Sequence, residues 1–309
     1  MSLSLRKSSV AQNEAKVATA YNQAGCRYER YADGAGRSLF DFDGRHGFAD
    51  RTTWELIDTK LMALRAQGLR RLRILDLGCG PGTWLRRAVV RARQLGFCQI
   101  DAQGLDIADA QLHRARALAQ PLVDIEGISI TFRHGDLRGR LAADPADLCL
   151  CLYGVLNHLP VAEMPDILRR VAVLTRGFFV ATVRTIGSTP TVYVDEVSAA
   201  ANFYQDNRID RLDVEFSNGR RTSFQSHLFS RAELMRVAAT AFEVEEVRGL
   251  DIFHARFAGD RRWNPPNAAP LARLSQELAR LEDRYCRDPG FMDHATHLLL
   301  SALPQKTAA

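Results

Sequence analysis

Between residues 72 and 183 short apolar runs alternate with segments of helical periodicity, and this alternation restricts the fold more than any other feature. Leu72 to Leu77 is an apolar run ending in glycines and reads as a buried strand. Trp84, Leu85, Ala88, Val89, Ala92 and Leu95 then recur at helical spacing until Gly96. Further strands are predicted at Ile100–Leu105, Ile128–Phe132, Leu148–Tyr153 and Phe178–Val183, with helices at Ala108–Ala119 and Ala162–Leu174. Strands separated by helix-length connections pair in parallel, so the expectation is an α/β, Rossmann-like, doubly wound sheet.

The alternation ends after Val183. Arg184 to Ile209 has no clear period, and Leu212 to Phe229 reads as a hairpin around Asn218-Gly219, its register left open. Ser230-Arg231-Ala232-Glu233 is a capping box opening a helix to about Ala241, and Phe242–Val247 is a sixth strand. Pro265-Pro266 breaks the chain before an amphipathic stripe of Leu271, Leu274, Leu278, Leu281 and Tyr285, and Thr296–Leu303 forms a last strand. At the other end residues 1–12 are polar and expected to be disordered. Asp33, Gly34, Gly36, Asp43 and Gly44 divide the following stretch into an early helix and one around Thr52–Gln67. The resulting division is a helical N-terminal region (1–68), a core (69–183), an insertion with a hairpin (184–229), and the rest of the core (230–309) with an inserted helix at 267–286.

Composition narrows the class. A chain of 309 residues, 46% hydrophobic, can bury one large domain or a domain with a substantial cap. The net charge of +5 comes mostly from arginines scattered along helices without a run of five, which reads as solvated faces rather than a nucleic-acid track. The six cysteines include no C-x-x-C, and Cys149 and Cys151 share one face of a strand, so reduced thiols and a cytoplasmic location are expected. No apolar stretch approaches a membrane span, so no membrane partner is expected. The histidines and cysteines lack zinc-ligand spacing, and no metal is expected.

The turn Ile74-Leu75-Asp76-Leu77-Gly78-Cys79-Gly80-Pro81-Gly82-Thr83 joins the first strand to its helix. A dinucleotide fingerprint needs glycine where Thr83 stands, and no Lys or Arg between Ile74 and Trp84 suits a polyphosphate. The spacing instead leaves bare backbone under a flat ligand, with Asp76 just before it. Asp106 ends the second strand near the spacing of ribose-reading acids, and Asp136, after the third strand, can accept from an exocyclic amine. Asp147, opening the fourth strand, implies no ligand. The carboxyl ends of such strands meet at one crevice. Tyr153-Gly154-Val155-Leu156-Asn157-His158 follows the fourth strand at its mouth, making His158 a candidate base and Tyr153 a positioning group. His227 and His254 are candidates from the insertion and the sixth strand. For each histidine a structural place is the alternative, and the acids can alternatively be helix caps.

Ile74 to Thr83, Gly104-Leu105-Asp106-Ile107, Gly135-Asp136-Leu137 and Asp147-Leu148-Cys149-Leu150-Cys151-Leu152-Tyr153 together resemble the class I S-adenosylmethionine-dependent methyltransferases. The resemblance is close over 72–184 and looser over 230–303. It implies a seven-stranded, mostly parallel sheet whose last strand, Thr296–Leu303, is antiparallel, and S-adenosylmethionine as cofactor with S-adenosylhomocysteine as product. It implies that Gly78 and Gly80 pass under the methionine part and that Asp106 holds the ribose. Asp136 and the backbone of Leu137 would read adenine, and the backbone at Leu152 would meet the amino group. Asp76, Cys79 and Ile107 belong to the same cofactor-binding set. In the small-molecule members a Tyr-bearing N-terminal helix forms a lid, a place that Tyr21, with Tyr28 and Tyr31, can take here, where an aromatic face approaches a sulfonium; an ordinary packed helix face is the alternative, as it is for Trp54.

The resemblance implies transfer of a methyl group by in-line displacement, a task of alignment, with a base where the acceptor is a hydroxyl. The expected acceptor is a small molecule, methylated at oxygen or nitrogen, under a roof built by 184–229. The helix at 267–286 extends that cap or forms a homodimer interface. An RNA or other macromolecular methyltransferase would need a basic, aromatic groove, which the sequence does not show, and the tetrapeptide of amino-base methyltransferases is missing. A non-catalytic S-adenosylmethionine-binding protein is the third reading. Aminopropyl transfer lacks its acidic polyamine motif. The sequence does not name the acceptor.

Overall fold

The computed structural model describes residues 16–22, 39–42, 47–188, 200–216, 218–254 and 271–305. Its centre is a sheet of β1 (Arg71–Leu77), β2 (Gln99–Asp106), β3 (Ile128–His134), β4 (Ala146–Cys151), β5 (Thr175–Arg184), β9 (Phe242–Leu250) and β10 (His297–Pro304). The strand order is β3-β2-β1-β4-β5-β10-β9. β1 is parallel to β2 and β4, while β10 is antiparallel to both its neighbours, as expected of the last strand. The order reverses between β1 and β4, and that switch point opens a crevice at the strands' carboxyl ends.

The strands were readable because both faces are covered. Leu148, Leu150 and Leu152 turn to one face, packing with Ile57 and Leu61 of α2 (Gly47–Ala66) and Leu85 and Val89 of α3 (Thr83–Gln94). Cys149 and Cys151 turn to the other, against Ile167 and Val171 of α5 (Met164–Val173) and Val237 of α6 (Arg231–Ala238). On the first face α4 (Asp109–Val123) adds Leu112 and Ala115. The capping box forms: the Glu233 amide donates to the Ser230 hydroxyl at 3.2 Å. α5 starts at Met164, later than the predicted Ala162, because two short 3₁₀ turns, Val155–His158 and Val161–Glu163, lead into it.

A second sheet reaches the exit of β4, where Gln225 O lies 2.9 Å from His158 Nδ1. The predicted hairpin is β7 (Arg211–Phe216) and β8 (Arg221–Gln225), with Leu212 opposite Phe224 and Val214 opposite Thr222. The stretch without period contains a strand nevertheless: β6 (Ala200–Asp206) pairs antiparallel with β7, Tyr204 opposite Asp213. It escaped notice because Tyr204 is exposed and Gln205 and Asp206 are polar, which removes the alternation. A short helical segment, residues 16–22 (α1), sets Val17 and Ala20 against Leu212, Val214 and Phe224, a cluster separate from the two sheet faces.

α7 (Leu271–Tyr285) turns Leu278 and Glu282 inward, and the Gly249 amide donates to Cys286 O at 2.7 Å, so that face packs on its own chain; α8 (Pro289–Met292) follows. Among the described residues no helix is long and apolar enough to cross a membrane. The expectations for residues 1–12, for Cys26, Tyr28, Tyr31, Asp33, Gly34, Gly36, Asp43 and Gly44, and for Pro265-Pro266 lie outside the described residues.

Asn157 fastens cap to core. Its amide nitrogen donates to the carbonyls of Arg184 at 3.1 Å and His227 at 2.5 Å, and its oxygen accepts from the Arg184 amide at 2.9 Å. Asn157→Ala strands three buried backbone groups and is expected to cost about 3 kcal/mol, measured as a lower urea midpoint with an unchanged slope.

Candidate active site

The crevice is walled by Gly78, Gly80, Asp106, Ile107, Leu137 and Leu152, and closed from above by Tyr21 and His158. The glycine turn needs its residue type: Gly78, Gly80 and Gly82 have φ of 73°, 51° and 76°. A Cβ on Gly78 would stand 2.3 Å from a methyl of Val155. The turn hangs on the end of β2, with the Gly78 and Cys79 amides donating to Leu105 O at 2.7 and 3.0 Å. The Asp106 carboxylate continues this, accepting from the amides of Gly80 and Ala108, each at 2.8 Å. Burial raises the Asp106 carboxyl and these amides pull it back. Each oxygen takes one of these amides, which leaves it acceptor capacity for a further donor.

Two members of the expected set do not reach the crevice. Asp76 is buried beneath the turn, bonded to the Leu85 amide, and burial, with Asp106 nearby, pushes its carboxyl up to about 7. Cys79 points back under the turn, its Sγ 2.7 Å from where a Cβ on Gly104 would stand. Asp76 and Cys79 therefore shape the turn from behind.

Asp136 and Leu137 line the wall, together with Gly135 and Arg138. Arg138 folds back on Asp136: its amide, Nε and Nη2 donate to the carboxylate at 3.0, 3.3 and 3.0 Å. A donor reaching Asp136 from the crevice meets only the lone pairs that Arg138 leaves. Arg138, Gln111, Val17, Val155 and Leu159 were not foreseen as wall residues. The i, i+2 Asp-Arg pairing was the only signal for Arg138, and the apolar ones carry no chemical signature.

His158 joins three elements. Its Nδ1 lies 2.9 Å from Gln225 O on β8, and a carbonyl only accepts, so Nδ1 carries the proton. Nε2 is then the acceptor for the Tyr21 hydroxyl of α1 at 3.1 Å. Burial lowers His158 to about 4, so the ring is neutral, and Tyr21 is pushed up to about 12 by burial and by Asp106. α1 is held again where Gln111 donates to Tyr21 O at 2.9 Å and the Ala110 amide to Asn22 Oδ1 at 2.9 Å.

Tyr153 takes a left-handed backbone, φ 57°, at the exit of β4. Its ring stacks on Trp84 at 5.7 Å and meets the edge of His297 at 6.0 Å, and its hydroxyl donates to Asp50. His227 is not at the site. Its ring nitrogens lie 2.8 Å from Asp210 and 2.8 Å from Glu233, which makes it a pin between the cap and α6 and leaves neither nitrogen for an acceptor. His254 stacks on Phe48 at 5.5 Å, and Trp54 meets Phe40 at 5.1 Å.

Residues 74–177 match the family model of a methyltransferase domain. The chain carries a methyltransferase domain over these residues, on the fold of the S-adenosylmethionine-dependent methyltransferases. Solved structures of the same fold include a magnesium protoporphyrin IX methyltransferase from Synechocystis PCC 6803 with bound S-adenosylmethionine, 15% identical, TM-score 0.51 over 95% of this chain and 97% of that one. DhpI in complex with S-adenosylhomocysteine is 14% identical, TM-score 0.51, covering 96% of this chain and 98% of its own. An S-adenosylmethionine-dependent methyltransferase from Clostridium acetobutylicum ATCC 824 is 10% identical, TM-score 0.50, covering 82% and 91%. No curated protein matches the sequence. The methyltransferase site suits its cofactor: bare backbone at Gly78 and Gly80 leaves room for a chain to pass, and Asp106 presents acceptors to a pair of hydroxyls. When bound, S-adenosylmethionine supplies the sulfonium methyl group.

Asp106→Ala is expected to weaken S-adenosylhomocysteine binding by roughly tenfold to a hundredfold, read by calorimetry. His158 yields a pH signature. Folded, it protonates only near about 4, whereas its ordinary value is 6.5. Between these values the unfolded chain binds a proton the folded chain refuses, so stability is full above that window and falls as pH drops through it. Urea midpoints at pH 7 and pH 5 should differ more for the wild type than for His158→Gln.

Proposed function

We propose that this methyltransferase acts on a small molecule, by O- or N-methylation. The observation that carries the reading is the closure of the crevice by the chain itself: His158 of the β4 exit is bonded at once to Tyr21 of α1 and to Gln225 of the cap. A polynucleotide or a folded protein needs an open groove, whereas a small acceptor suits an enclosed cleft. The arginines of the cap support the same choice. Arg208, Arg211 and Arg221 pair with Asp206, Asp213 and Glu215, so their charge is answered locally. A cytoplasmic location is part of the proposal, supported by the unpaired thiols of Cys79, Cys98, Cys149, Cys151 and Cys286.

Neutral His158 is a hydrogen-bond acceptor at Nε2, but that lone pair is engaged by Tyr21. Its part in this reading is to hold the lid, and alignment of acceptor with donor is the principal catalytic demand. The test is incubation with methyl-labelled S-adenosylmethionine and a cell extract split into small-molecule, RNA and protein fractions. Label is expected in the small-molecule fraction. Label in RNA or protein alone, or no transfer above background, overturns the reading.

A further inference from the structure

Beyond Tyr153 lies a group of acids that the methyl-donor site does not use. His297 at the start of β10 pairs with Arg184 at the end of β5 and with Leu250 at the end of β9. Asp251, the next residue, therefore leaves the sheet along the same carboxyl edge that bears the crevice. It is 1% exposed, and neither of its carboxyl oxygens has a hydrogen-bond partner. Glu282 of α7 is wholly buried; Oε1 accepts from the amides of Phe253 at 2.6 Å and His254 at 2.8 Å, and Oε2 has no partner. Asp50 of α2 takes the Tyr153 hydroxyl, tying this group to the wall of the crevice. The charges acting on Asp251 are those of Glu282 and Asp50, both negative, and with burial they push it up to about 8.

A buried carboxyl with both oxygens unbonded is costly, and two acids lacking partners are more so. Taking up a proton removes the charge on Asp251 but leaves its remaining acceptor, and Oε2 of Glu282, unmet. The group that answers all of these is a cation carrying several N–H donors, which is an ammonium. Among the described residues no set of His, Cys, Asp and Glu converges as metal ligands, so the arrangement does not suit a divalent ion. Tyr153, whose hydroxyl donates to Asp50, stacks on Trp84, and aromatic faces of this kind favour an organic cation.

We propose that Asp251, backed by Glu282 and Asp50, is a subsite for the ammonium group of the acceptor, so that the substrate is a small amine. This rests on the reading of the acceptor as a small molecule. The amine held here sets specificity, whether or not it is the atom methylated.

The experiment uses the full chain saturated with S-adenosylhomocysteine and two matched pairs of probes: benzylamine with benzyl alcohol, and hexylamine with hexanol. Calorimetry should show each amine binding at least about tenfold more tightly than its alcohol. In Asp251→Asn that preference should shrink to about twofold or less while S-adenosylhomocysteine binds as before; Glu282→Gln provides a second variant should the first not fold. Equal binding of amine and alcohol in both pairs, absence of binding included, overturns the subsite. So does an amine preference that survives both substitutions. These outcomes leave the small-molecule reading standing. Label appearing only in RNA or protein in the extract experiment removes that reading, and the subsite with it.

Discussion

The cofactor side of this protein depends on one carboxylate. Asp106 accepts from the amides of Gly80 and Ala108, and so fixes the glycine turn and the first residue before α4 relative to the end of β2. A turn with three left-handed glycines has little of its own to keep it in place. Leu105 O and the Asp106 side chain supply that support from the neighbouring strand, and Gly104 lacks the Cβ that would collide with Cys79 and Phe132. The end of β2 is therefore a template on which the loop after β1 is formed. The same residue lines the crevice, so the geometry of the turn and the position of this carboxylate are set together.

The central strands were legible because burial on both faces writes a continuous apolar run into the chain, as at Leu148 to Leu152. The capping box at Ser230 was legible because its two residues are local. β6 was not, since its support comes from pairing with β7 rather than from a core-facing stripe. The site divided in the same manner. Gly78, Gly80, Asp106, Ile107, Asp136, Leu137 and Leu152, ordered along strand ends, do line the crevice with Tyr21, Tyr153 and His158. Asp76 and Cys79 belong to the same motif but lie behind it, Asp76 at the end of β1 and Cys79 in the turn with its Sγ against Gly104. His227 has the chemistry of a base, and only its two tertiary neighbours, Asp210 and Glu233, show it to be a pin. Asp251 and Glu282 come together from distant parts of the chain through packing of α7 on the end of β9, which no local pattern encodes.

The cap and α1 form a small hydrophobic unit of their own, with Val17, Ala20, Leu212, Val214 and Phe224 at its centre. Much of its attachment to the body is polar: Asn157 to His227, His227 to Glu233, and His158 to Gln225. Units joined in this manner open separately from the core to which they are fastened. The division between the central sheet and the smaller unit of α1 and β6–β8 follows from where the apolar surface is buried.

The bond between Tyr21 and His158 also has a consequence for motion at the mouth of the crevice. It joins two neutral groups, and a bond of that kind contributes only about 1 kcal/mol net. A latch of that strength opens often on thermal motion alone. Opening at this bond is therefore a low-energy motion at the mouth of the crevice. Because His158 must stay uncharged to accept that hydroxyl, acidification breaks this acceptor bond, and the joint between α1 and the exit of β4 is proton-sensitive.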